Sequence, residues 1–343
     1  MPDTLTIPFH EMIDVFRSIL LQNGFSDERA NTCAEVFATN SLEGVYSHGV
    51  NRFALFVQMV REGHVVPDAT PVLRHATPSL EQWDGALGPG VLNATIATNR
   101  AVQLAKQNGL GCVALANTNH WMRGGYYGWQ AAKAGCVFIG WSNTIANMPA
   151  YGASDVRLGN NPLVIAVPFQ QEAIVLDMAL SQFSYGAMQM AEMRGESLPV
   201  FGGYDENGKL TKDPAAIIKS GRTLSIGYWK GAGLSLLLDI VVAVLSGGLA
   251  VHQISQQKAE KGLSQVFVAI ALERLQNYPG IGACIQNIIS DYKQSAATGE
   301  VLYPGERVMR KREQNRQAGI PVVQKVWDEI LSLQTITKSV IDQ

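Results

Sequence analysis

The chain has 343 residues, with 27 Lys and Arg against 29 Asp and Glu, for a formal charge of −2 at neutral pH. That balance leaves no basic field to hold a nucleic-acid backbone and no like-charge run that would read as a tail, so the expected partner is a small molecule. The length suits two domains or one elaborate α/β unit, and Cys33, Cys112, Cys136 and Cys284 lie far apart in apolar contexts, as reduced core thiols of a cytoplasmic protein would.

Residues 1–20 are acidic and polar with a single Arg17, where an export signal needs a basic start and an apolar block, so no export is expected. The first 65 residues read as helices. Met12, Ile13, Phe16, Ile19 and Leu20 share one face of a helix that stops at Gly24, Ser26 opens a second with Asp27 and Glu28 in its first turn, and "GVNRFALFVQMVREGHV" supplies a third. From about residue 72 short apolar strands alternate with helices: "LEQWDG", a helix over "NATIATNRAVQLAKQNG", strand "CVALAN", helix "YGWQAAKAG" and strand "CVFIGWSN". "PLVIAVP", "AIVLDMA" and "QVFVAIAL" continue the strands, and the alternation argues for an α/β sheet. Pro199–Asp213 is turn-rich and reads as a surface excursion.

Residues 231–251, "GAGLSLLLDIVVAVLSGGLAV", have nearly membrane-spanning length, but Asp239 and four glycines favour a buried helix over a span. After about residue 280 the chain reads as helical again, with a last helix starting at Pro321. The expected division is a helical domain built from both chain ends, 1–72 and 280–343, around an α/β domain, 73–279.

The sequence contains no G-x-G-x-x-G, no phosphate-loop motif and no G-x-S-x-G, and no two His or Cys stand at metal-ligand spacing, so no metal is expected. What remains is polar clusters at strand ends: Ser47-His48-Gly49 with Arg52; Asn117, Asn119, His120 and Arg123; and Asp177. Ligands bind at the carboxyl ends of strands in α/β sheets. If a helix starts at Ser47, His48 and Arg52 share a face, where a guanidinium can hold a carboxylate while the imidazole meets the adjacent carbon, as a 2-oxo or 2-hydroxy acid requires. Plainer roles stay open on spacing alone: His48 as a core or capping residue, Arg52 as a solvated charge, Asp177 as a helix cap.

Together the motifs "SHGVNR", "NTNHWMRGGYYG", "DMALS", "WKGAG" and "YPGE" resemble, in order and over nearly the whole chain, the type-2 malate/L-lactate dehydrogenase family. The chain departs from the family's pattern at Gly159-Asn160-Asn161-Pro162, where the family has G-T-N-P, and at Leu180, where D-M-A-T-S has Thr.

The resemblance implies a dinucleotide-binding mixed-sheet α/β domain that is not Rossmann-like, a homodimer, and NADH as cofactor with NADPH as the alternative. It implies a small 2-oxo acid substrate of sugar origin; other members act on ureidoglycolate, malate, lactate or a cyclic imino acid, and a ligand sensor without catalysis is the reading from another class. Carried over, His48 is the general acid. Asp177, Met178, Ala179, Leu180, Ser181, Gln182 and Phe183 contact the dinucleotide, as do Trp229, Lys230, Gly305, Glu306 and Arg307. Hydride reaching a carbonyl carbon leaves charge on oxygen that an imidazolium can quench, and Asp177 is the expected acidic partner that keeps His48 protonated. Arg52 is expected to hold the substrate carboxylate and His120 a second oxygen.

Overall fold

A computed structural model describes residues 3–296 and 298–335. The chain opens on a short strand, β1 (Thr4–Ile7), followed by α1 (Phe9–Gln22), α2 (Asp27–Leu42) and α3 (Val50–Arg61). Their apolar faces meet in one core, in which Phe16 stacks on Phe53 at 3.9 Å between ring centroids and Phe37 meets Phe53 edge-on.

The central sheet then forms from β2 (Val72–Ala76), β3 (Leu80–Asp84), α4 (Gly90–Asn108), β4 (Leu110–Thr118), α5 (Gly124–Lys133) and β5 (Cys136–Ser142). The small pair β6 (Ala146–Pro149) and β7 (Val156–Gly159) precedes β8 (Leu163–Phe169) and β9 (Glu172–Met178). Next come α6 (Tyr185–Met193), the hairpin β10 (Gly203–Tyr204) and β11 (Leu210–Thr211), α7 (Pro214–Ser220), α8 (Trp229–Ser246), α9 (Val251–Ile254) and β12 (Leu263–Ala271). The chain closes with α10 (Tyr278–Lys293), α11 (Glu306–Ala318), β13 (Ile320–Val323) and α12 (Gln324–Thr335).

The seven strands run in the order β2-β3-β4-β12-β5-β8-β9. β3 and β4 are parallel, while the other neighbouring pairs are antiparallel. α4 and α5 cover one face through a core around Tyr127, Phe138 and Phe267, and α8 lies on the other through Val242, Trp141 and Val266. The sheet is therefore mixed, as the resemblance implies, and its one parallel pair of neighbours is joined by the α4 crossover.

Two expectations change, and a third gains detail. Ile320–Val323 is a strand, paired antiparallel to Thr4–Ile7, so the last helix starts at Gln324 and the first residues of the chain are extended. The pairing spans nearly the entire sequence, and no local pattern announces it; Pro321 is tolerated because this two-stranded ribbon leaves its N side free. The apolar helix over residues 229–246 is only partly buried: Val242 packs on the sheet and Ser235 and Ser246 are covered, but Leu236, Leu237, Ile240, Val241 and Val244 are exposed. By length and composition it is the one helix among the described residues that meets the requirement for crossing a membrane, yet Asp239 on it is fastened to Asn143 and the Val251 N–H. The Pro199–Asp213 excursion folds as the β10–β11 hairpin, with a small core of Met188, Leu198 and Ile217 beneath it.

Trp327 and Ile330 of α12 join the core of the three N-terminal helices, as do Ile320 and Val322. α10, by contrast, buries none of its residues, and its Gln286 meets Gln170 beyond the end of β8. Residues 1, 2, 297 and 336–343 of the expected helical domain lie outside the described residues.

Candidate active site

The turn that carries His48 is built from behind by polar residues at the end of α2. Tyr46–His48 form a single 3-10 turn, Gly49 breaks it, and α3 starts only at Val50. No helix begins at Ser47. A Cβ at Gly49 would stand 2.2 Å from Ser41 Oγ and 2.9 Å from the Phe37 carbonyl, so only glycine lets the turn lie against α2. Ser41 Oγ accepts the Val50 N–H at 2.8 Å, and Asn40 Nδ2 donates to the His48 carbonyl at 3.0 Å. Both side chains are buried; Ser41 satisfies a backbone N–H that the start of α3 leaves unpaired, and Asn40 the carbonyl of the turn before it.

His120 comes from the loop between β4 and α5, and its ring lies 5.8 Å from that of His48, nearly parallel to it. The Met122 N–H donates to His120 Nδ1 at 3.0 Å, with Met122 held at φ +64. An accepting Nδ1 places the proton of the neutral ring on Nε2, making His120 a donor toward the pocket side. His48 Nδ1 is within 2.9 Å of Ser47 Oγ, which leaves Nε2 for other partners. Burial pulls both histidines down to about 3, helped at His48 by His120, Arg52 and Arg123 and at His120 by Arg52. Both rings are neutral at pH 7 in the free chain.

The group that raises the proton affinity of His48 is Glu260, not Asp177. Asp177 sits at the end of β9 against the N-terminus of α5, where its Oδ2 accepts the Gly125 N–H at 2.7 Å and lies 3.8 Å from Arg123 Nε. Burial raises its proton affinity, with Arg123 and the Gly125 N–H opposing. The sheet fixes where Asp177 stands, and that place faces α5 rather than the His48 turn. Arg123 in turn is buried against Glu43, the residue that ends α2. Arg312 of α11 donates through Nε to Glu43 at 2.8 Å, bonds Glu172 at the start of β9, and lies over the Trp129 ring.

Arg52 and His120 line a cavity of about 210 Å3 with Leu55, Phe56, Met59, Met122, Glu260 and neighbouring residues. That is smaller than the roughly 300–1,000 Å3 of sites for drug-sized ligands and suits a small acid. Arg52 Nη2 is 3.8 Å from Glu260 Oε2, so the guanidinium is not locked in a hydrogen-bonded ion pair.

The proposed cofactor residues fall in two groups. The segment after β9 runs beside residues 224–226: Gln182 N–H donates to the Leu224 carbonyl at 2.7 Å, and Ile226 N–H to that of Leu180 at 2.8 Å. This brings Met178, Ala179, Ser181, Gln182 and Phe183 next to the turn that opens α8, where Gly227 and Tyr228 have φ of +61 and +58 and Trp229 and Lys230 are exposed. Past Phe183, Gly186 in the first turn of α6 abuts Ser47, its Cβ position being 2.9 Å from Ser47 Cβ. Leu180 itself is fully buried with Met148, Leu158 and Ala232, so only its backbone can face a ligand.

Gly305, Glu306 and Arg307 lie elsewhere along β9, through the bond from Val175 N–H to the Pro304 carbonyl. Gly305 packs on Trp129, and the Glu306 carboxylate is already paired with Lys293 and Arg310, so of these three only Arg307 presents an exposed side chain.

Sequence reading missed Asn40, Ser41, Glu43 and Glu260 and left Arg123 without a role. The first three follow one another closely in "NSLEG" just before the His48 turn, a polar run at the end of an otherwise core-facing helix. Glu260 has no local signal, since it reaches Arg52 from a loop roughly two hundred residues further along the chain.

The sequence pattern of the malate/L-lactate dehydrogenase family matches residues 7–331. The chain belongs to that family. Among curated relatives it is similar to the 2,3-diketo-L-gulonate reductase of Citrobacter koseri, with 41% identity over 96% of this chain and 100% of the relative. It is similar to the protein of that name from Escherichia coli K12 at 42% identity with the same coverage. Among solved structures, malate dehydrogenase from Entamoeba histolytica superposes with a TM-score of 0.91 at 23% identity, over 96% of this chain and 97% of that one, which is a likeness of fold.

The two positions at which this family member departs from the usual motifs touch each other: the Leu180 N–H donates to the Asn160 carbonyl at 2.8 Å. The Asn160 side chain accepts from Thr144 and Asn147, so both departures belong to the framework beneath the segment rather than to its exposed edge.

Proposed function

We propose that the chain is an NADH-dependent reductase of a sugar-derived 2-oxo acid, converting 2,3-diketo-L-gulonate to 3-keto-L-gulonate. The observation that carries the reading is the pairing of His48, at 5.8 Å between ring centroids, with His120, which itself lines a cavity together with the unlocked Arg52. The relatives' name supports the substrate.

The residues present fit a dinucleotide. Met178–Phe183 and Ile226–Lys230 make one edge, tied by backbone hydrogen bonds, that ends at the N-terminus of the long helix α8 with Lys230 exposed, a favourable place for phosphates. A bound reduced nicotinamide supplies the hydride. Arg52 holds the substrate carboxylate, His120 donates through Nε2 to an oxygen, and His48 gives the proton to the alkoxide that forms at C2.

His48 is neutral in the free chain, so it must gain its proton with the substrate. A carboxylate on Arg52 offsets one of the charges that holds the ring's proton affinity down, and the sign is toward protonation. In the reverse direction the neutral ring is already the base.

The division into a helical domain of 1–72 with 280–343 and an α/β domain of 73–279, without the Rossmann phosphate loop, belongs to the same reading. So does a homodimer: the exposed apolar face of α8, from Leu236 to Val244, suits a second copy, and light scattering at micromolar concentration tests it. Cysteines left as free thiols accord with the cytoplasm, although Cys284, expected in the core, is exposed because α10 buries none of its residues.

The deciding experiment follows absorbance at the nicotinamide band with 2,3-diketo-L-gulonate, pyruvate, oxaloacetate and a cyclic imino acid, each with NADH and NADPH. The expected result is fastest oxidation of NADH with the diketo acid. No change with any pair would overturn the reading.

A further inference from the structure

Glu260 stands out as an acidic group that lines the cavity and holds none of the reacting atoms in the proposed reaction. Its two oxygens differ. Oε1 accepts the Ile145 N–H at 3.0 Å, which fixes the carboxylate in place. Oε2 has no hydrogen bond from the described residues, and Arg52 Nη2 is 3.8 Å away, beyond bonding reach. The side chain is four-fifths covered. The other acid lining the cavity, Glu62, is engaged with His64, which Lys261 approaches in turn.

Apart from His120, the rest of the cavity wall is apolar: Leu55, Phe56, Met59, Met122 and Ala259. A carboxylate oxygen only accepts hydrogen bonds. An alkyl tail entering the cavity would strip water from Oε2 and return nothing, whereas a tail hydroxyl would replace that water with a charge-assisted bond. A hydroxyl there also fits the gap to Arg52, because it accepts from the guanidinium while donating to the carboxylate.

We propose that Glu260 is a specificity-determining residue that reads a hydroxyl on the tail of the substrate, so that the site selects polyhydroxylated 2-oxo acids over alkyl ones of equal length. The inference rests on the cavity being the substrate site of the proposed reductase.

The selection is read as a ratio. Glu260 also acts on the charge state of His48, but that influence falls on every substrate alike and cancels when two substrates are compared on one enzyme. The probes are 2-keto-L-gulonate and 2-oxohexanoate, six-carbon acids with and without tail hydroxyls. Their preference is measured as the ratio of kcat/KM with NADH, and independently as the ratio of calorimetric Kd values in the presence of cofactor. In wild type the hydroxylated acid should be preferred, and Glu260→Gln, which keeps an oxygen for the Ile145 N–H, should reduce that preference about 10- to 100-fold. The fuller loss expected where a polar group is completely buried is not reached, because Oε2 keeps some solvent.

Glu260→Ala should give the same collapse, and matching melting temperatures guard against misfolding. A preference unchanged in both variants overturns the assignment, as does a wild type that binds the two acids equally or binds neither. Absence of turnover with a Glu260-dependent binding preference would instead overturn the reductase reading and keep the hydroxyl reader.

Discussion

The turn bearing His48 and the turn that opens α8 are both tight, but they are held in opposite ways. Behind His48, Asn40 and Ser41 grip the backbone, Gly49 lies flush on α2, and nearby Glu43 draws Arg123 and Arg312 into a buried ion cluster. At α8, Gly227 and Tyr228 keep left-handed backbone, while Tyr228, Trp229 and Lys230 stand in solvent and the support is a short backbone pairing with Leu180. Proton transfer needs groups placed before the substrate arrives, and burial supplies that at the cost of a neutral imidazole. On the proposed reading, an extended cofactor needs an accessible edge that becomes covered when it binds. Buried side-chain support is concentrated at the His48 turn.

The strongest challenge to this contrast is removal of the ring it positions. His48→Asn should keep the fold and cofactor affinity and lower turnover by about 100- to 10,000-fold; retained turnover would return His48 to a structural role. The pH profiles sharpen the point. The free-enzyme profile, kcat/KM for reduction, should fall with rising pH from a limb far below neutrality, since His48 starts near 3, and the kcat limb should lie higher once substrate is bound. Stability carries the same signature. With folded values near 3 and an unfolded value near 6.5, the unfolded chain binds more protons between those limits, so stability is full above about pH 6.5 and declines as pH falls toward 3. Urea midpoints at pH 7 and pH 5 should show that loss, diminished in the variant with both His48 and His120 replaced by Asn.

Next in size is the ion cluster. Glu43→Ala leaves Arg123 and Arg312 without their shared buried anion and should cost about 3–5 kcal/mol in denaturant unfolding. A loss within the range of surface substitutions would show that the helical layer does not depend on it. Ser41→Ala, which strands the Val50 N–H, should cost about 1–3 kcal/mol and blur the His48 turn. The smallest effect on folding belongs to the open side: Trp229→Ala should change unfolding free energy by no more than about 0.5 kcal/mol while weakening NADH binding measured by fluorescence titration. A large folding loss there would erase the distinction between the two turns.

Much of the fold was legible because period and punctuation are local. The strands over Cys112–Ala116, Cys136–Trp141 and Ala173–Asp177, and the helices between them, announce themselves by apolar runs bounded by polar or turn-forming residues, and His48, Arg52 and His120 stood out as polar residues at turns. The sequence by itself determined those elements, the absence of a glycine phosphate loop, and the polar clusters from which a site could be drawn. Pairing between distant segments decided the rest. β13 exists because Ile320–Val323 finds Thr4–Ile7, and α8 keeps an apolar face in solvent because the sheet covers only its other side. Asp177 answers to Arg123 because β9 delivers it to α5, and Glu260 becomes the anion beside His48 because a far loop folds over Arg52. Burial and charge proximity arise between segments remote in sequence, so proton affinities and partners belong to the tertiary structure even where the residues that carry them are plain in the chain.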